Sequence, residues 1–379
     1  MNRRALTGLG IVSRLGVGKD FLDEGLRKKE TPPYLPIESF DATKYATPHV
    51  YEVPSFDAKK YLGDKGLRSL DRLTKLMVVA SRLALHDAGL KKDGEFVGLA
   101  GDRIGFCCSN AYGMLEAATE LDRVAKLEDV RYINPAKFPN TVANSASGYV
   151  SIWEDLRAIN VTVSDGNCGA LDAVACADIY IDSARADVIL VGGAEAMTEA
   201  LYVAFQKLGV LDLGASIGEA AVFMAYESVD TAKKRGAKIL AEVIGYGTSF
   251  VAPDDERLIF ASGEAMVRAI RGALEDAKLT PNDVDLVASG ISGLRDFDDT
   301  ELRAIRTVLP DVAIAAPKQH FGDTLGASGA VGMAAAITWF AGTPPVLHLG
   351  AAPKKLKRVL VTTLGYYGNA SALLLERSE

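Results

Sequence analysis

The sequence predicts an α/β fold assembled from two related halves, and three observations predict it. Apolar runs rich in β-branched residues alternate with stretches of helical period, the pattern of strands feeding helices that pack on a sheet. Residues 185–195, RADVILVGGAE, form an apolar run closed by a glycine turn, which is how a strand buried on both faces reads. Residues 81–90, SRLALHDAGL, and 270–279, IRGALEDAKL, share the pattern R-x-A-L-x-D-A-x-L, and a strand-like run follows each, 103–109 and 284–290. Two amphipathic helices can match by chance, so duplication is an expectation for the topology to meet. The expected halves are 1–247 and 248–379. In a duplicated fold the functional site lies where the copies meet.

The elements follow in order. The N-terminal MNRRALTGLGIVSR has neither an apolar stretch long enough for a signal peptide nor a small-residue cleavage site, and reads as a first strand and turn. Leu73 to Leu90 and Ala265 to Leu279 have helical spacing. The uncharged run from Thr324 to Pro353 is rich in Gly, Ala and Thr and broken by Pro344-Pro345; it reads as a glycine turn and a buried helix, not a membrane span.

Composition narrows the function. With 379 residues, 49% of them hydrophobic, the chain buries a large core. A net charge of −7 offers no footprint for nucleic acid or an anionic membrane. Two local basic groups, Lys233-Lys234-Arg235 and Lys354, Lys355, Lys357 and Arg358, are candidates to meet an acidic carrier, with a solvated helix end or loop as the plainer reading. The 4 cysteines contain no CxxC pair, which argues against a disulfide framework or zinc site and for a reducing cytoplasmic setting. No metal or other cofactor is implied.

Residues 161–170, VTVSDGNCGA, run from a β-branched strand through a small turn that presents Cys168 to a helix-like segment. A helix N-terminus stabilises a thiolate and supplies N–H groups for a thioester oxyanion. Position alone leaves two readings open, a nucleophile or a buried inert cysteine of the kind expected of Cys176. Gly166 to Ala170 also approximates an α/β-hydrolase elbow with His320 or His348 as base, and Gly8-Leu9-Gly10 a dinucleotide turn whose third glycine would fall at Ser13; both are weak patterns without their context.

With Cys168 in place, the neighbouring motifs resemble the β-ketoacyl-acyl-carrier-protein synthases, the condensing enzymes of the thiolase fold. The motifs are Thr7-Gly8-Leu9-Gly10, the run 139–144 (PNTVAN), Asp187 to Glu195, Ala232 to Gly247 and Asp298-Asp299-Thr300-Glu301. Lys318 with the run 325–330 (LGASGA), Pro344-Pro345 and the turn Gly365-Tyr366-Tyr367-Gly368 complete the set. The resemblance implies a five-layered α-β-α-β-α fold of two duplicated halves, a dimer whose nucleophile strands meet at the interface, and an acyl tunnel beside the cysteine. It further implies that the backbone N–H groups of Cys168 and Tyr366 form an oxyanion hole, that Lys318 and Glu301 are a supporting charge pair, with an ordinary structural ion pair as the equal alternative, and that Tyr366, Tyr367, Phe205 and Phe138 face the substrate; for Phe106, Phe138 and Phe205, core packing is the plainer reading.

The departures bear on function. The family uses Cys-His-His, and this chain has Gly290 at the place of the first histidine and Asp323 at that of the second. Losing one preorganised donor costs about 10²–10³ in rate and two about 10⁴–10⁶, enough to end useful condensation. A carboxylate aimed at the thiol would also suppress thiolate, with Lys318 or His320 as candidates to offset it. Leu171 is bulkier than the residue usual two positions after the glycine, the connection between Gln206 and Glu219 is short, and Tyr366 stands where the family has a gating phenylalanine.

Two functions are therefore expected. One is a chain-length-factor-like, non-condensing subunit of a ketosynthase dimer, homodimeric or heterodimeric, working with an acyl carrier protein. The alternative is an acyltransferase in which Cys168 moves an acyl group from a carrier protein or CoA without decarboxylation, chemistry that needs neither histidine.

Overall fold

The computed structural model describes residues 2–45, 50–211 and 216–378. In the first half, β1 (Arg4–Ser13) precedes helix α1 (Arg72–Asp87), then β2 (Ile104–Ser109) and β3 (Asn160–Val163). Helix α2 (Gly169–Asp182), β4 (Val188–Glu195) and β5 (Ala220–Ser228) follow. The second half contains β6 (Ala241–Phe250), α3 (Gly263–Asp276), β7 (Leu286–Ala288), α4 (Arg295–Val308) and β8 (Ala313–Ala315). It ends with α5 (Ser328–Phe340), β9 (Leu347–Leu349), β10 (Arg358–Leu364) and β11 (Asn369–Glu376).

The strands join in a 12-stranded sheet of order β9-β8-β7-β10-β11-β6-β1-β5-β4-β2-β3, with the short Gly16–Val17 strand on β1. Read outward from the centre, β1-β5-β4-β2-β3 and β6-β11-β10-β7-β8 are the same arrangement. In each, the first two pairings are antiparallel and the last two parallel. The halves join where Arg4–Leu6 pairs antiparallel with Ala241–Val243.

The duplication extends to side chains. A Cβ on Gly10 would lie 1.9 Å from the Ala80 carbonyl of α1, and one on Gly247 2.2 Å from the Ala269 carbonyl of α3, so only glycine lets strand and helix approach at either place. The aspartate of the shared helix pattern has one task in both copies. Asp87 accepts the Leu9 N–H and Asp276 the Tyr246 N–H, each at 3.0 Å. Both first strands shift register one step earlier, between Leu6 and Gly8 and between Val243 and Gly245. The division expected after residue 247 lies inside β6, whose pairing with β11 belongs to the second half.

Three apolar clusters separate five layers. One holds α1 against the first-half strands of the sheet, one holds α3 and α4 against the second-half strands, and between them α2 and α5 form a central layer touching the strands of both halves. Every residue of α5 is buried, which its nearly uniform apolar sequence requires. Among the described residues no helix is long and apolar enough to cross a membrane.

Candidate active site

Cys168 stands where β3 turns into α2. Gly166 takes φ +53°, the left-handed region that suits glycine, and one tight turn over Gly166–Cys168 opens the helix. Gly169 must be small, because a Cβ there would lie 2.2 Å from Ser109 Oγ on β2. The thiol is fully buried, and Sγ faces the Thr363 carbonyl of β10 at 3.5 Å, so the cysteine of the first half meets a strand of the second. Its own N–H donates to the Asp165 carbonyl at 3.1 Å, which engages one of the two expected oxyanion donors.

The electrostatics oppose a thiolate. Burial, then the charges of Asp172 and Asp165, push the Cys168 pKa well above its ordinary value. Asp172, four residues along α2, accepts the Tyr246 and Ser371 hydroxyls, each at 2.6 Å. Burial and its hydrogen bond with Asp165 raise its own pKa to about 7.

Asp323 is not aimed at the sulfur. Its Oδ1 receives Lys318 Nζ at 2.9 Å, the Leu325 N–H at 3.1 Å and Ser328 Oγ at 3.1 Å; its Oδ2 receives Tyr366 Oη at 2.5 Å and Asn167 Nδ2 at 3.3 Å. Burial disfavours the carboxylate, but Lys318 and these donors outweigh it and hold the pKa below the usual value. Lys318 thus pairs with Asp323 and not, as expected, with Glu301, because the substituted residue puts a carboxylate within its reach. Glu301 accepts the Gly290 N–H at 2.8 Å and Thr362 Oγ1 at 2.6 Å, and burial raises its pKa to about 7. A Cβ at Gly290 would stand 3.0 Å from Glu301 Oε2, so Glu301 occupies part of the room a side chain there needs.

The described histidines make their contacts away from Cys168 Sγ, whose contact is with the Thr363 carbonyl. His320 Nε2 donates to the Lys28 carbonyl at 2.8 Å, His348 pairs with Gln319 at 3.2 Å, and His86 is exposed on α1. His49, like part of the short connection after Gln206, lies outside the described residues.

A cavity of about 530 Å³ approaches the site and is walled by Tyr112, Phe205, Phe297, Tyr366 and Tyr367, with Arg295 and Asp296 also lining it. Phe205 and Phe297 meet the Tyr366 ring edge-on at 6.2 and 5.1 Å, and the Tyr112 and Tyr367 hydroxyls bond at 2.7 Å. Cys168 is not among the lining residues, and Tyr366, held by Asp323, stands in the wall. Phe138 departs from expectation: it is 67% exposed on the turn 135–141, away from this cavity. Phe106 packs on Phe223 in the core behind α1. Leu171 is buried against Gly329 in the central layer.

Sequence reasoning missed several residues here. Asp165 and Asp172 lie at −3 and +4 from Cys168, a spacing that returns both to its side of the turn. Glu195 accepts the N–H groups of Ala111, Tyr112 and Gly326 and so ties two site loops together, at the end of a strand that reads as core.

The comparisons with known proteins agree with this architecture. Residues 2–223 match the beta-ketoacyl synthase N-terminal domain and residues 240–349 the beta-ketoacyl synthase C-terminal domain. The chain belongs to the β-ketoacyl synthase family. It is 26% identical to 3-oxoacyl-(acyl-carrier-protein) synthase 2 of Coxiella burnetii, over 99% of this chain and 98% of that one. It is 31% identical to nodulation protein E of Rhizobium leguminosarum bv. trifolii, over 72% and 70%. Among solved structures, the ishigamide ketosynthase/chain length factor superposes with a TM-score of 0.88 at 25% identity, covering 100% of this chain and 99% of that one. This ketosynthase-family chain sets Cys168 at the N-terminus of α2 with Asp165 and Asp172 close enough to oppose a thiolate.

Proposed function

We propose that this chain is a non-condensing, chain-length-factor-like subunit of a ketosynthase dimer in fatty-acid or polyketide synthesis, shaping a chain carried on an acyl carrier protein. The observation that carries this reading is Asp323: where the family's second histidine would polarise a malonyl thioester, a carboxylate is paired with Lys318 and bonded to Tyr366. A carboxylate accepts hydrogen bonds and cannot donate one to a developing enolate. Gly290 offers no side chain at the first position.

An exposed apolar surface supports the partnership. Leu127, Val130, Tyr132, Phe138 and Val142 are each at least half exposed within one stretch of chain, and such patches mark protein contacts. In a ketosynthase dimer Phe138 then reaches the partner and not its own cavity. For carrier binding, Lys233 and Lys234 remain exposed, whereas Arg235 is bonded to Glu227 and Arg358 to Glu376. The test is co-expression with an active ketosynthase: a stable complex whose product length changes on Phe138→Ala supports the reading, and a homodimer that ignores every ketosynthase offered sinks it.

The retained Cys168 favours the acyltransferase reading, and its burial beside Asp165 and Asp172 weighs against it. Intact-mass detection of an acyl adduct that Cys168→Ala abolishes would support that second reading. A wild-type chain unmodified by acyl carrier or acyl-CoA donors would eliminate it.

A further inference from the structure

We propose that a cavity far along the chain from the cysteine binds a carboxylate carried on an apolar body, with Arg14 Nη1 receiving the carboxylate. The proposal starts from the buried cations. Among the described residues Arg4, Arg14, Lys91 and Lys318 are buried. Arg4 pairs with Asp178 and Asp182, Lys91 with Glu154, and Lys318 with Asp323. Arg14 alone of these four has no carboxylate partner; burial lowers its pKa, and only Tyr51 and Tyr34 oppose that. A buried charge left unpaired is costly, which is why such groups carry a counter-ion.

The guanidinium is held but not satisfied. It lies 4.4 Å from the Tyr51 ring centroid, and Nη2 donates to the Pro33 carbonyl. Nη1 is buried without a partner, so its two N–H donors are unsatisfied. Arg14 is 6% exposed and lines a cavity of about 640 Å³ beneath the segment 28–33. That segment is anchored by its carbonyls: Lys28 accepts from His320 at 2.8 Å, Pro32 from Tyr51 Oη at 3.0 Å, and Pro33 from Arg14.

The lining selects the ligand class. Leu15, Phe21, Pro32 and Pro33 supply apolar wall, while Lys28 and Lys29 join Arg14 against Glu24 and Glu30, leaving one positive charge. Lys28 and Glu24 already pair at 3.1 Å. One unsatisfied positive charge within apolar walls matches a monoanion such as a fatty carboxylate better than a phosphate dianion. This site does not depend on whether the chain condenses, transfers or only shapes acyl groups.

The probes are octanoate, its neutral analogue 1-octanol and inorganic phosphate, titrated by calorimetry, with 8-bromooctanoate soaked into crystals to locate the bound chain by bromine scattering. Octanoate is expected to bind more tightly than octanol or phosphate, Arg14→Met and Arg14→Lys to weaken it by at least about tenfold, and bromine to appear beside Phe21 and Pro33. Unchanged affinity in Arg14→Met, equal binding of octanol, no octanoate binding, or bromine only in the cavity walled by Phe205 and Phe297 overturns the proposal. If the variants do not fold, the bromine position in the wild-type protein decides alone.

Discussion

Tyr366 donates its phenol proton to Asp323 at 2.5 Å, and the other oxygen of the same carboxylate receives Lys318 at 2.9 Å. Two residues at which this chain departs from the expected family pattern, Tyr366 and Asp323, therefore bond to each other. The Tyr366 phenol is one of the donors that keep the Asp323 carboxylate charged, and the Tyr366 ring stands in the wall of the aromatic cavity, whose lining does not include Cys168.

Breaking that arrangement should cost stability. Asp323→Leu leaves the Lys318 ammonium buried without a counter-ion, and an expected loss of about 3–5 kcal/mol follows from removing one partner of a buried pair. Asp323→Leu with Lys318→Met should lose less than the two single variants summed, as urea unfolding at pH 7 would reveal. The pH dependence has a definite sign. Asp323 has a folded pKa below its ordinary value of 3.8, so its contribution is complete above that value and fades as pH falls through the lower folded value.

Tyr366 is the separable part of the wall. Tyr366→Phe removes a hydrogen bond to a charged group and should cost about 1.5–3 kcal/mol. Tyr366→Ala should in addition expose Cys168, measured as faster iodoacetamide labelling of that residue by peptide mass. Equal labelling rates in wild type and Tyr366→Ala would show that Tyr366 does not seal the thiol.

Glu301 should behave oppositely to Asp323. Burial raises its folded pKa to about 7 from an ordinary 4.5, so its stabilising contribution is full below pH 4.5 and is lost as pH rises through 7. The shift corresponds to about 3 kcal/mol. Glu301→Gln should flatten the fall in stability between those pH values, read from unfolding midpoints; an unchanged slope would contradict the assignment.

The repeat makes a paired prediction. Gly10→Ala and Gly247→Ala each drive a methyl group into a helix backbone, at 1.9 and 2.2 Å from the Ala80 and Ala269 carbonyls. Each should destabilise by about 3 kcal/mol or more, since the obstructing atoms are backbone. A silent variant at either site would argue against equivalent packing in the two halves.

Much of this architecture is legible in the sequence for specific reasons. The shared helix pattern marks the duplication because its alanines and its aspartate each meet the first strand of their own half. Cys168 is recognisable from a strand, a glycine turn and a helix in succession. What remains hidden is pairing across the chain. Lys318 is expected to serve Glu301 and instead meets Asp323, a choice decided by where the 318–323 turn points its side chains. Phe138 reads as a tunnel aromatic, yet sequence cannot tell whether a ring faces its own cavity or the outside. Asp165 and Asp172 are visible at their spacings, but their effect on the thiol depends on burial that only the fold supplies.

The decisive measurement is decarboxylative condensation by the purified chain alone, supplied with acyl-loaded and malonyl-loaded acyl carrier protein and followed by mass spectrometry of the carrier. No two-carbon extension and no released carbon dioxide above the Cys168→Ala background are expected, because Gly290 and Asp323 offer no donor to the malonyl thioester. Cysteine-dependent extension by the isolated chain would contradict the non-condensing role.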